Sequence, residues 1–204
     1  MIQQKYELEY FSSGESLRER VKSDDFTGGK IKAVIEAGIY VPESVICQIW
    51  MNKLEDYKNN FPGFNGMVFD GTPRKLMEAE LLSLALDWYE WGKNVRVFLI
   101  NISEKEAFRR LSGRMVCQNC KKKYSYFDDI KVSGKCNICG GDLTKRADDT
   151  PESIRARLDE FEKETVPVFE YYDKNGLLTK IDGKGSIEQV HQSILTALKD
   201  HDAY

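Results

Sequence analysis

An α/β fold, with a parallel sheet covered by helices on both faces, is what this sequence predicts, and three observations carry the prediction. Short apolar runs of the buried-strand kind, GMVFD (66–70) and VRVFLI (95–100), lie far apart in the chain. Amphipathic stretches of helical period separate them, and strands joined through helices pair in parallel. The 204 residues, 41% hydrophobic and 31% charged, suffice for one core domain plus an insertion.

Taken in order, IQQKY (2–6) reads as the last turn of a helix and Tyr6 to Phe11 as a short strand running into a Ser-Ser-Gly turn. GESLRERV follows as a helix. TGGKIKAVIEAG is the next, with Thr27 as its N-cap and Gly38 as its C-cap. PESVICQIWMNKLEDYKNN places Pro42 in a first helical turn and ends on Asn-Asn. After the strand GMVFD, the stretch KLMEAELLSLALDWYEWG predicts one long helix stopped by Gly92. VRVFLI is the next strand, and Ser103 caps EKEAFRRLSG. From Thr150 a long helix is expected, with a kink or break at Pro167, where a helical hydrogen bond is lost. LLTKID is the last strand and SIEQVHQSILTALKD the last helix.

Composition excludes several classes. A net charge of −3 argues against a dedicated nucleic-acid binder. No apolar run reaches the roughly 18 residues of a membrane span, and no charged-then-apolar signal opens the chain, so the cytoplasm is expected with no membrane partner. His191 and His201, both near the C-terminus, are the two histidines, which makes a histidine-based triad a poor reading.

Between Arg114 and Lys145 the periodic pattern stops. Cys117 and Cys120 form one Cys-x-x-Cys knuckle, Cys136 and Cys139 another, with fifteen residues between the pairs. Two such knuckles suit a tetrahedral zinc ion; a disulfide pair or loose thiols is the alternative. Four thiolates leave no open position, so the expected metal is structural. It would organise a subdomain too poor in apolar residues to fold alone. Cys47 lies on the apolar pattern of its helix and reads as core.

Arginines flank the cysteine segment in groups: Arg109, Arg110 and Arg114 before it, Arg146, Arg155 and Arg157 after. Arg18 and Arg74 follow glycine turns in SSGESLR and DGTPR. Guanidinium forks bind phosphate oxygens in pairs, so arginines gathered from separate segments suggest a polyphosphate substrate, although any one of them could instead sit on a solvated face. In DGTPR an aspartate ends a buried strand and an arginine follows the turn. That is the carboxyl edge of the sheet, where open α/β folds bind ligands.

FSSGESLR, AGIYVP, FDGTPRKLMEAE, RRLSGRMVC, TKRADDTPESIRARLDEF and KIDGKGSIEQV resemble adenylate kinase motifs in their order and approximate spacing, over essentially the whole chain. The resemblance implies the three-layer parallel sheet of the nucleoside monophosphate kinases. It implies a core over 1–112 and 150–204, a helical AMP-binding arm over 12–41 and a zinc-binding lid over 113–149. It implies reversible phosphoryl transfer, ATP + AMP = 2 ADP, with magnesium accompanying ATP and with ATP, AMP and ADP as partners. Carried over, Ser13, Arg18, Val41, Gly71, Arg74 and Glu78 hold AMP. Arg110, Arg114, Arg146 and Arg157 surround the phosphates, and Tyr124 and Lys184 lie on the ATP side. Asp70 orders water around magnesium, and Asp148 and Asp149 belong to the lid hinge.

Three departures stand out. Thr72 occupies a position where an aromatic is common. Glu78 stands where a glutamine usually reads the adenine edge, and a glutamate lacks the amide donor. The third is a missing segment: family members open with a strand, a Gly-x-x-x-x-Gly-Lys loop and a helix, and this chain starts at the tail of that helix. DGKGS fails as a substitute because the first glycine falls on Leu178, and GGK at Gly28–Lys30 fails likewise. The expectation is a truncated sequence lacking the first, central strand, which leaves two inner strand edges unpaired or forces them together. Orphaned buried backbone groups cost about 1–3 kcal/mol each against a total stability of about 5–15 kcal/mol, so a well-ordered monomer is expected only of the full-length protein. A kinase for another nucleoside monophosphate, a catalytically inactive AMP-binding relative and a zinc-knuckle interaction module are the competing readings.

Overall fold

A computed structural model of the chain describes residues 1–125, 127, 134–146 and 148–202, the side chains of 200–202 excepted. Part of the segment between the two cysteine pairs therefore lies outside the described residues.

The chain opens with a short helix, α1 (Ile2–Tyr6), whose end turns through Glu7 in the left-handed region, and continues into β1 (Glu9–Ser12). α2 (Ser13–Val21) follows directly: Ser12 accepts from the Glu15 N–H and so caps it. α3 (Phe26–Ala37) begins two residues earlier than the sequence suggests. Asp25, not Thr27, is its N-cap, because the Asp25 carboxylate accepts the Gly28 N–H at 2.8 Å. Gly38 ends it at φ 78°, as expected of a C-cap glycine. α4 (Glu43–Asn60) carries Ile46, Cys47, Trp50 and Leu54 on its buried face.

After β2 (Met67–Asp70), helix α5 (Leu76–Trp88) is shorter than its sequence predicts. It stops before Gly92, because Glu90 turns to φ 65° and Gly92–Asn94 form a 3-10 turn. β3 (Val97–Asn101) and α6 (Glu104–Ser112, capped by Ser103) come next. Three short strands follow: β4 (Met115–Cys117), β5 (Lys123–Tyr124) and β6 (Leu143–Lys145). α7 (Pro151–Glu160) carries a proline in its first turn, whereas Pro42, expected inside the first turn of α4, is the N-cap residue of that helix. The break foreseen at Pro167 takes the form of a π-helical turn, Phe161–Thr165, from which α8 (Val166–Lys174) leaves with Pro167 in its own first turn. β7 (Leu178–Asp182) and α9 (Ile187–Asp202) complete the chain.

The strands make three sheets. β1 pairs in parallel with β2, Glu9 opposite Met67 through Ser12 opposite Asp70. β3 pairs in parallel with β7, Val97 opposite Leu178 through Asn101 opposite Asp182. The antiparallel set β5-β4-β6 is separate and holds the cysteines. Among the described residues β2 and β3 do not pair with one another.

This arrangement corrects the expectation of fully buried central strands. β2 and β3 are half-buried, and Ile100 is 47% exposed, since each parallel sheet has two strands and each of those strands keeps one edge without a ladder. The main core packs α2–α5 on the β1-β2 pair around Phe11, Ile31, Trp50 and Leu54. A second, smaller core sets Ala79, Val168 and Tyr172 against the β3-β7 pair. Helix α5 serves both, Leu82 in the first and Ala79 in the second. Cys47 is core, as expected, and burial pushes its thiol up to about 11. Among the described residues no helix is long and apolar enough to cross a membrane.

Candidate functional site

A cavity of about 400 Å³ opens where α2, the turn after β2, the end of α6, the exit of β6 and α7 converge. Each of those five segments contributes one arginine to its lining: Arg18, Arg74, Arg114, Arg146 and Arg157.

Local chemistry explains why the turn after β2 can carry Arg74 inward. Gly71 adopts φ 73°, and a Cβ there would sit 2.7 Å from the Arg74 guanidinium and 2.8 Å from Ser13 Oγ. A glycine is required on both counts. The Gly71 carbonyl accepts from Ser13 Oγ (2.6 Å) and from Arg74 Nε (2.7 Å), so one backbone oxygen orients both side chains. The guanidinium lies 5.0 Å over the Tyr40 ring, and Thr165 Oγ1, in the π-helical turn, donates to the Arg74 carbonyl at 3.0 Å. Neither Tyr40 nor Thr165 was singled out by the sequence. The aromatic inside AGIYVP was the available signal for the first; nothing local marked the second.

Four of the arginines share two aspartates. Arg114 binds Asp149 with two parallel bonds of 2.8 and 2.6 Å, and Arg146 binds Asp148 likewise at 3.0 and 2.5 Å. Arg157 reaches Asp149 at 3.1 Å and the Asp148 carbonyl at 2.8 Å, and Arg18 stands 3.8 Å from Asp148. Four positive charges over two negative ones leave the cluster cationic. Burial, followed by the Arg146 charge, lowers the pKa of Arg18 despite the neighbouring Asp148. Asp148 and Asp149 thus lie among the arginines as their counter-ions. They sit just before α7, where the single Ser153 hydroxyl proton is shared between the Asp148 carbonyl (2.9 Å) and the carbonyl of Thr150, the N-cap residue (3.1 Å).

At the other side of the cavity lies Glu78, 3% exposed. Its Oε1 accepts from Thr72 Oγ1 at 2.7 Å and its Oε2 from the Arg74 backbone N–H at 2.8 Å. Burial raises its pKa, against the pull of those two bonds and of the Arg74 charge. Val41 also lines this part.

Not every residue proposed from the sequence reaches the cavity. Arg110 donates to Glu106 (2.7 Å) and to the Gly183 carbonyl (2.8 Å), beside a second depression of about 440 Å³ lined by Asn101, Ser103, Asp182 and Lys184. Lys184 is therefore there and not in the arginine cavity. Asp70 ends β2 at the cavity rim and accepts from the Tyr10 hydroxyl at 2.6 Å.

Tyr124 requires a correction. The two residues of β5 face opposite ways, as strand residues must, and the inward one is Tyr124. It is buried against the cysteines, with its hydroxyl 2.6 Å from Asn137 Oδ1 and 3.0 Å from Cys136 Sγ. Its strand neighbour Lys123 lines the cavity instead and pairs with Glu15 of α2.

The cysteines meet as expected. Cys117, Cys120, Cys136 and Cys139 place their four sulfurs within 4.8 Å of one another, all unoxidised. Cys117 Sγ lies 3.5 Å from Cys139 Sγ, and Cys120 Sγ 3.6 Å from Cys136 Sγ. Tetrahedral Zn–S bonds of 2.3 Å require sulfurs about 3.8 Å apart, so the donor set fits that ion. Knuckle geometry supports the fit: Lys121 and Gly140 turn through φ 58° and 69° directly after each pair, and the Ile138 N–H points at Cys136 Sγ. The Tyr124 hydroxyl bond holds the Cys136 thiol well below its ordinary pKa.

Comparison with known proteins agrees with this geometry. The family described as adenylate kinase matches residues 1–177. An adenylate kinase of Dehalococcoides mccartyi is 34% identical over 200 residues, 98% of this chain and 90% of its own length. Those of Geotalea daltonii (34% over 201 residues, 98% and 91%) and Methanothrix thermoacetophila (36% over 199 residues, 97% and 90%) are similarly alike. An arginine-lined cavity at the carboxyl edge of a parallel sheet and a match along nearly the whole chain lead to one conclusion: the chain belongs to the adenylate kinase family, kinases that pass a phosphoryl group between ATP and AMP.

Proposed function

We propose that the arginine cavity is the acceptor site at which AMP receives a phosphoryl group from ATP to give two ADP. The observation that carries this reading is the convergence of five arginines from five segments with two aspartates among them. Ser13, Arg18, Val41, Gly71, Arg74 and Glu78 hold AMP, with Arg18 and Arg74 on its phosphate. Arg114, Arg146 and Arg157 exchange part of their aspartate bonding for phosphate oxygens of both nucleotides. Phosphoryl transfer asks a protein for positioning and charge neutralisation more than for a titrating base, and these fixed guanidiniums supply both. Arg110 and Lys184, at the second depression, serve the ATP side. Magnesium entering with ATP neutralises charge on the phosphate oxygens. Asp70, at the carboxyl end of β2, orders its water.

In this reading α2 and α3 form the arm over AMP and the β5-β4-β6 sheet is the lid, held by zinc on the four thiolates. The Lys123–Glu15 pair then joins lid to arm.

The test is disproportionation of ADP by the zinc-loaded chain with magnesium, following ATP and AMP, with Arg74→Ala as control. Turnover that falls at least a hundredfold in the variant is the expected result. Turnover unaffected by Arg74→Ala sinks the site assignment.

A further inference from the structure

Among the described residues Glu78 is the one buried carboxylate that lines the cavity. Its oxygens accept from the Thr72 hydroxyl on Oε1 and the Arg74 N–H on Oε2, and the Lys75 N–H is a third, weaker donor to the same carboxyl. Those bonds lock the carboxyl plane. What the carboxylate presents to a bound base is acceptors alone, two oxygens about 2.2 Å apart with no donor between them.

The bases differ in what they offer such an edge. Guanine presents N1–H and N2–H side by side, two donors matched to two carboxylate oxygens. Adenine presents one donor, N6–H, beside the N1 lone pair, which would face a carboxylate oxygen. Hypoxanthine presents N1–H and no amino group. An amide at position 78 would reverse the order, since its donor and acceptor complement adenine.

We propose that Glu78, positioned by Thr72, makes this acceptor site read two adjacent N–H donors, so that guanosine monophosphate is a second acceptor nucleotide beside AMP. The proposal rests on the cavity being the acceptor site, and it adds the base class which that site takes. Thr72 is a positioning residue: it does not touch the base and acts by fixing the Glu78 carboxyl plane.

Equilibrium binding of AMP, GMP and IMP to the zinc-loaded chain tests this without requiring turnover. The parent chain should bind GMP at least as tightly as AMP, and IMP about tenfold more weakly than GMP for want of the 2-amino donor. Glu78→Gln should move the AMP:GMP affinity ratio at least tenfold toward AMP. Thr72→Val should lessen the preference for GMP over IMP while leaving the phosphate contribution, read as the gain of each monophosphate over its nucleoside, unchanged. A merely structural role for position 78 would move all three affinities together, so an unchanged ratio in Glu78→Gln overturns the proposal. So does a parent chain that binds GMP tenfold more weakly than AMP. If neither AMP nor GMP binds the folded chain, the acceptor-site reading itself falls. If AMP alone binds and needs Arg74, that reading stands and the guanine inference fails.

Discussion

Asp148 shows what a single residue contributes to this site. Burial pushes its carboxyl up, but the paired Arg146 bonds and the Arg146 and Arg157 charges outweigh burial and hold it below its ordinary value. A carboxylate depressed in the folded state stabilises fully above its unfolded pKa of about 3.9 and loses that contribution as pH falls through the lower folded value. Acid unfolding followed by tryptophan fluorescence should therefore be less steep in Asp148→Asn than in the parent chain below about pH 4. At the opposite side of the cavity, removing a guanidinium from a charge-assisted phosphate contact should weaken AMP binding about ten- to a hundredfold in Arg74→Ala, with the protein still folded. The five cavity arginines were legible in the sequence because Arg18 and Arg74 follow glycine turns and Arg114, Arg146 and Arg157 gather on either side of the cysteine segment. The placement of Tyr124 was not, because which face of a two-residue strand points inward is decided by packing against the cysteines.

Among the elements, caps and breaks were the most readable. Thr150 was expected to open α7, and its hydroxyl accepts the Ser153 N–H at 3.1 Å. Because that turn also carries Asp148 and Asp149, Thr150→Ala should cost about 0.5–2 kcal/mol in urea unfolding. The break near Pro167 was readable as well, though not its form: a π-helical turn that turns Thr165 toward the Arg74 carbonyl. Where the sequence misled, competing local bonds won. Asp25 outbid Thr27 because its carboxylate reaches the Gly28 N–H, and α5 ended early because Glu90 took a left-handed turn before Gly92. The cysteine-bearing sheet has a small core of Met115, Leu143 and three buried residues, two of them cysteines. Stripping metal with a chelator should abolish the protection of β4 and β6 amides from hydrogen exchange and leave α4 and α5 protected.

At the scale of the molecule, α4 and α5 join α2 and α3 to the β1-β2 pair, and α5 also reaches the β3-β7 pair. Trp50 is fully buried at the centre of the main core. Trp50→Ala should cost about 3–5 kcal/mol in denaturant unfolding, a large part of the stability of any domain this size. Ligand binding acts on the same balance from outside, and AMP at a hundred times its dissociation constant should add about 2.7 kcal/mol to the parent chain.

The sequence alone determined the class of the fold, the position of nearly every helix, the four cysteines that meet in one cluster and the arginines that line the cavity. Each of these is written in local terms: a period, a cap, a spacing or a residue chemistry. Only the tertiary structure decided that Asp148 and Asp149 partly offset the charge of the arginine cluster, that Lys123 and not Tyr124 faces the cavity, and that β2 and β3 stay in separate sheets. It also decided that Thr72 and the Arg74 N–H hold Glu78 as an acceptor. Those outcomes depend on which distant groups meet. Long-range contact follows from how helices and strands pack together, and no local pattern of residues encodes it.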